Sequence, residues 1–236
     1  VLCMLEDSSG NNWIGTARGL QLFDKDYGTF RLFDLGDPEI PESTQYVSDI
    51  IEIDEGGSYT VIAATSQHGA YFIDEKTLEV DRSRTEKINI GLSSLYIEDI
   101  FRDSRNLLWI ASAISGLDIY DLGSERPLRV PGMELMKQEA AITAFEEDDK
   151  SGDLFISTDT DGIWVYDASE NRIRRVHDAA MRGIQVLSML KGPVPQTDRE
   201  DVMILGTVSE GFRFMELGSE RLVDIPLSNI RYDTRR

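Results

Sequence analysis

The chain has 236 residues, 41% hydrophobic and 28% charged, with 43 acidic against 24 basic side chains and a formal net charge of -19. That composition is globular, and its charge repels phosphate backbones and anionic lipid, which argues against nucleic acid as a partner. No apolar run approaches the roughly 18 residues of a spanning helix, so this segment is not expected to insert into a membrane, and its lone cysteine, Cys3, permits neither an internal disulfide nor a thiolate metal cluster.

Five units follow one another, each with four candidate strands. The first reads as strands at 1–6, 12–16, 19–23 and 29–33, and the second at 47–53, 59–64, 69–73 and 78–81. The third places them at 95–101, 107–112, 116–120 and 127–130, the fourth at 141–145, 153–157, 162–166 and 172–176. The fifth uses 184–190, 202–206, 211–215 and 221–225. Short strands between turns of Asp, Asn, Ser and Gly are an antiparallel pattern.

The units share a signature in which the second strand ends in small residues before a glycine and a hydrophobic residue. It is seen as Trp13-Ile14-Gly15-Thr16 with Gly19-Leu20, as Ile62-Ala63-Ala64-Thr65 with Gly69-Ala70, and as Trp109-Ile110-Ala111-Ser112 with Gly116-Leu117. Phe155-Ile156-Ser157-Thr158 with Gly162-Ile163 and Ile204-Leu205-Gly206-Thr207 with Gly211-Phe212 complete the series, and the glycines recur every 46 to 50 residues. A repeat of that length, with four strands, predicts an all-β fold: a β-propeller of five countable four-stranded antiparallel blades, at 1–36, 47–83, 94–130, 141–177 and 184–225. Trp13, Trp109 and Trp164 are expected in the interblade core, and Cys3 as a small core residue.

Three connections depart from the repeat. Residues 37–44 read as a linker, 131–140 as the start of a helical turn or two with Met133 and Met136 on one side, and 191–201 as an enlarged outer turn. An acidic residue follows every third strand (Asp24, Asp74, Asp121, Asp167 and Glu216), and the reading preferred is turn formation rather than a catalytic or metal ring.

The run Glu6 to Thr16, with Gly19-Leu20-Gln21-Leu22-Phe23-Asp24, closely resembles the two-component regulator propeller repeat, and Asn106 to Tyr120 repeats it. The resemblance implies an extracytoplasmic or periplasmic sensor region of a Bacteroidetes-type hybrid histidine kinase, without turnover of its own, that detects glycan breakdown products. Propellers of that family are usually seven-bladed, so five units imply either a compact ring or a fragment of a larger seven-bladed propeller. The opening at Val1 reads as an internal piece of a longer polypeptide.

In repeat scaffolds, function tends to occupy residues that differ between equivalent positions. In the loops joining second and third strands these are Arg18, Gln67, His68, Asp159, Asp161 and Glu210, the candidate contacts for a polar ligand such as an oligosaccharide. No catalytic residue, metal ligand or cofactor is assigned: His68 has no serine elbow beside it, and Asp159-Thr160-Asp161-Gly162 covers only a fragment of a calcium loop. The alternatives are a protein-interaction scaffold that self-associates through its end blades or binds the rest of its parent, and a carbohydrate-active propeller enzyme.

Overall fold

The computed structural model describes residues 1–36, 45–113, 115–136, 140–176, 178–181, 183–194, 199 and 201–225. The linker 37–44 and much of the outer turn at 191–201 therefore lie outside the described residues. The chain divides into two compact units, Val1–Arg129 and Val130–Arg236.

The first unit holds three sheets in chain order: β1 (Cys3–Glu6), β2 (Asn12–Thr16), β3 (Gly19–Asp24) and β4 (Thr29–Leu32); then β5 (Val47–Asp54), β6 (Tyr59–Thr65), β7 (Gly69–Asp74) and β8 (Glu79–Val80); then β9 (Ile97–Arg102), β10 (Leu107–Ser112), β11 (Gly116–Asp121) and β12 (Arg126–Leu128). The second unit holds two: β13 (Ile142–Glu147), β14 (Leu154–Thr158), β15 (Ile163–Asp167) and β16 (Arg172–Arg175), then β17 (Val186–Lys191), β18 (Val202–Thr207), β19 (Phe212–Glu216) and β20 (Arg221–Val223). Each sheet is an antiparallel meander whose strands pair in sequence order. The fold is all-β, with five four-stranded sheets that resemble propeller blades.

Within the first unit the sheets stack face to face. Side chains of β6 alternate between two cores: Val61 and Ala63 pack with Trp13 and Leu20, while Ile62 and Ala64 pack with Leu108 and Ile110. Tyr71 and Ile73 of β7 join the first core, and Ala70 and Phe72 the second. The period of two in a strand thus serves two neighbours at once. In the second unit, Phe155 and Val165 meet Val186, Met203 and Leu205 in one cluster.

Buried aspartates tie down the turns that open the second strands. Asp7 accepts the backbone N–H of Asn11 at 2.7 Å and the Trp13 indole N–H at 2.7 Å. Asp103 repeats this with Leu107 N–H at 2.8 Å and the Trp109 indole at 3.0 Å. Both tryptophans are fully buried; Trp164 is also buried, with the Arg175 guanidinium 4.7 Å over its ring. Cys3 is half-buried, and burial, then the nearby Asp49 charge, pushes its thiol up to about 12, which makes it unreactive.

The acidic residues after the third strands make turns. Asp24, Asp74 and Asp121 each accept two backbone N–H groups, and Asp167 accepts that of Glu170. The Thr77 N–H above all at Asp74, and the Ser169 hydroxyl followed by the Glu170 N–H at Asp167, favour the charged form and hold both below the usual carboxylate range.

One element was not foreseen. Helix α1 (Arg82–Gly91) fills the connection between the second and third sheets, capped by the Asp81 carboxylate accepting the Arg84 N–H at 3.0 Å. It forms because β8 has only two residues and leaves the outer edge of β7 unpaired beyond Phe72. Thr85 Oγ1 accepts the Phe72 N–H at 3.0 Å, and the Asn89 amide accepts the Ala70 N–H at 2.9 Å while donating to the Ala70 carbonyl at 3.2 Å. Asn89 therefore stands in for the missing strand. Arg84 lies over the Phe72 ring at 4.4 Å and makes a two-pronged pair with Glu55 at 2.7 and 2.6 Å. At 131–140, the described portion contains a short 3-10 turn, Met133–Leu135.

Candidate functional site

Every loop between the second and third strands begins at a hydroxyl side chain. Thr16, Thr65, Thr158 and Thr207 donate to the carbonyls of Gly19, Gly69, Gly162 and Gly211 at 2.8 to 2.9 Å. The same oxygens accept the backbone N–H groups of Arg18, His68, Asp161 and Glu210 at 2.9 to 3.0 Å, and Ser112 accepts that of Ser115 at 3.3 Å. The closing glycine adopts positive φ, from 68° at Gly211 to 101° at Gly19, a conformation costly for any residue with a Cβ. Four of the six sequence-predicted contacts thus have their backbone N–H clasped while their side chains are set by a fixed turn.

Those side chains meet different fates. In the first unit Arg18 and Gln67 are exposed and His68 is half-buried. In the second, Glu210 is exposed and lies 3.6 Å from Arg213, and half-buried Asp159 accepts the Thr160 hydroxyl at 3.1 Å. Asp161 is not a displayed loop residue: it is 5% exposed, paired with Arg175 at 2.5 Å, and its carbonyl accepts a second guanidinium N–H at 3.0 Å.

The first unit carries a half-open cleft of about 390 Å³ where the His68 loop meets α1. His68, Tyr71, Arg82, Glu86 and Asn89 line it, with Leu35 at one wall. An imidazole, a guanidinium, a carboxylate and an amide in one cleft offer both donors and acceptors, which suits a ligand with several hydroxyl or carboxylate groups. The loop supplied His68 to sequence reasoning, whereas Arg82, Glu86 and Asn89 come from the unforeseen helix. The signal available for them was Asp81 alone, a residue type favoured at helix N-caps.

Two carboxyl pairs in the first unit bear on catalysis. Asp49 and Asp99, on the first strands of adjacent sheets, hydrogen-bond to each other, and burial followed by the Asp49 charge pushes Asp99 up to about 8. Glu52 and Glu75 also lie close together, and burial first of all raises Glu75. Glycoside hydrolysis needs carboxyl groups about 5 to 9.5 Å apart with the sugar between them. Carboxyls packed this closely leave no such gap.

No protein-family model and no curated protein matches the sequence. Solved structures do. The extracellular domain of the proposed one-component system BT4673 from B. thetaiotaomicron superposes with a TM-score of 0.70 at 16% identity, over 94% of this chain and 29% of that one. The extracellular domain of the proposed hybrid two-component system BT3049 from the same organism gives 0.67 at 18%, over 94% and 28%. The likeness is one of fold. The chain spans less than a third of the length of either relative, and Chaetomium thermophilum Raptor also matches, with a TM-score of 0.65 at 14% identity over 94% of this chain and 20% of that one. One architecture carries unrelated functions, so the comparison shows a shared fold and leaves the role to the site itself.

Proposed function

We propose that this chain is part of the extracytoplasmic sensing region of a membrane-attached two-component signalling protein, and that it binds an oligosaccharide without chemical turnover. The location and the signalling context rest on the fold shared with the two B. thetaiotaomicron extracellular domains. The observation that carries the binding reading is the cleft at His68, whose polar groups are held by a clasped loop and a capped helix. Arg18, Gln67, Asp159 and Glu210 are proposed as further contacts in their own units, while Asp161 serves to hold its loop against Arg175.

Calorimetric titration against a panel of oligosaccharides tests this. One glycan class binds saturably, at least tenfold more weakly to His68→Ala and Arg82→Ala, and is recovered unaltered. Binding unchanged in both variants removes the cleft from the account, and new reducing ends make the protein an enzyme.

A second reading has its own observation. The first sheet presents an apolar hollow of about 460 Å³ lined by Val1, Met4, Phe23 and Phe30, and Met4 is 70% exposed. Exposed apolar surface of this kind favours a protein contact, so the alternative is an interaction scaffold. Light scattering across concentration checks it: self-association abolished by Met4→Lys favours the scaffold, and a monomer at every concentration rejects self-association.

A further inference from the structure

Three turns between first and second strands carry a buried aspartate in equivalent places: Asp7, Asp103 and Asp148. Two have a cationic partner. Arg105 lies 3.3 Å from Asp103, and Lys191 reaches Asp148 at 2.5 Å. Lys191 sits opposite Met203 on β17, the register position that Glu52 holds opposite Val61 on β5. Arg102 holds it on β9, opposite Leu108, and donates to the Asp54 carbonyl at 3.3 Å. Between the first and second sheets, then, a carboxylate stands where β9 and β17 set a cation; Glu6 of β1 and Glu147 of β13 hold the same position, so what distinguishes Glu52 is the company of Asp7. Glu75, just after β7, adds a third.

Oxygens of Asp7, Glu52 and Glu75 lie within 4.8 Å of one another. Asp7 and Glu75 are only 4% and 3% exposed. Among the described residues no Lys or Arg pairs with any of the three. Asp7 is anchored by Asn11 and Trp13, and Glu52 by the Ser8 N–H and hydroxyl at 2.6 and 2.8 Å. The Glu75 carboxyl is bonded by the Ser9 side chain, yet its Oε2 is buried without a hydrogen-bond donor, in a carboxyl that lies close to the other two. A buried carboxylate oxygen with no donor, beside two more carboxylates, is stabilised by a proton or by a positive species from outside.

We propose that Asp7, Glu52 and Glu75 bind one calcium-class divalent cation in the seam between the first and second sheets. The donors are all hard oxygens. Calcium takes oxygens at about 2.3 to 2.6 Å, so its ligands stand up to about 5.2 Å apart, a limit that oxygens within 4.8 Å of one another respect, and its flexible geometry tolerates an irregular set where magnesium demands a near-ideal octahedron. Three protein carboxylates leave the remaining positions to water on the half-exposed Glu52 side. The bound ion would tie the β1–β2 turn to β5 and to the chain beyond β7, doing for this seam what Lys191 does between the fourth and fifth sheets.

The test is calorimetry and thermal unfolding of the whole chain with CaCl2 in about 0.15 M KCl, where surface charge is screened. A single site with a dissociation constant of about 10⁻⁴ to 10⁻³ M is expected, together with a rise in melting temperature. Both are lost, with affinity down at least tenfold, in Glu75→Gln and in Glu52→Lys, and retained in Asp159→Asn. Glu52→Lys copies the Lys191 arrangement, so without calcium it melts above the unsubstituted protein; it carries the test alone if Glu75→Gln fails to fold. No saturable binding, or binding that persists in Glu52→Lys, overturns the proposal.

Discussion

The role of Asn89 as a surrogate strand makes a quantitative demand. Asn89→Ala strips partners from both the N–H and the carbonyl of Ala70, a residue that is fully buried. Orphaning a buried backbone group costs about 1 to 3 kcal/mol, and water reaching the half-buried Asn89 position recovers part of it, so about 2 to 4 kcal/mol is expected for the pair. Gly69 supplies the second arm of a cycle. A Cβ there would lie 2.2 Å from Asn89 Oδ1, at a φ of 79°. Gly69→Ala in the parent protein must therefore both strain the backbone and dislodge Asn89; in Asn89→Ala only the left-handed strain remains, about 1 to 2 kcal/mol. The two substitutions should be non-additive by about 2 kcal/mol. Urea unfolding followed by tryptophan fluorescence in a Trp164→Phe background reports on Trp13 and Trp109, both in the first unit. A loss below about 0.5 kcal/mol for Asn89→Ala, or an equal cost of Gly69→Ala in both backgrounds, refutes the reasoning.

Asp103→Ala removes partners from the Trp109 indole and the Leu107 N–H together, and should cost about 2 to 4 kcal/mol in denaturant unfolding. Arg175→Ala leaves the Asp161 carboxylate buried without its guanidinium and uncovers Trp164, for a loss of about 2 kcal/mol and a shifted Trp164 emission maximum. Asp99, with a folded value of about 8 against about 3.9 when unfolded, keeps an extra proton in the folded state between those limits. Its stabilising contribution is complete below about pH 4 and is lost as pH rises through about 8; Asp99→Asn should flatten the decline of melting temperature across that window, and an unchanged slope contradicts the shift.

The strands were legible because two signals coincide in each repeat, alternation along the strand and a glycine at positive φ after it. Predicted and observed bounds of β2, β6 and β10 agree within a residue for that reason. The helix was not legible because its stability is tertiary. In Arg82–Gly91 only Thr85 and Ile88 are buried, too few for an amphipathic stripe, and its polar Thr85 and Asn89 are used against a sheet edge whose shortness no local pattern announces. Asp161 was read as a displayed loop residue from its place before Gly162; its burial depends on Arg175, fourteen residues later on β16. Likewise Glu52 is unremarkable in the sequence, and its difference from Arg102 and Lys191 emerges only once the registers are aligned.

The two-sided burial of β6 has a kinetic consequence. In most half-buried strands a slip of one residue throws polar side chains into the core, and the error corrects itself. Val61, Ile62, Ala63, Ala64 and Thr65 are all fully buried, so a slipped β6 would exchange one apolar set for another with little penalty along its length. Fidelity of this hairpin then rests on polar devices at its ends: the Thr65 hydroxyl gripping Gly69 and His68, and the irregularity between Val47 and Asp49 that admits only one alignment with β5. Loss of such a device is felt less in how firmly the finished sheet holds than in how many chains reach it, as a misaligned fraction that lengthens refolding and feeds aggregation.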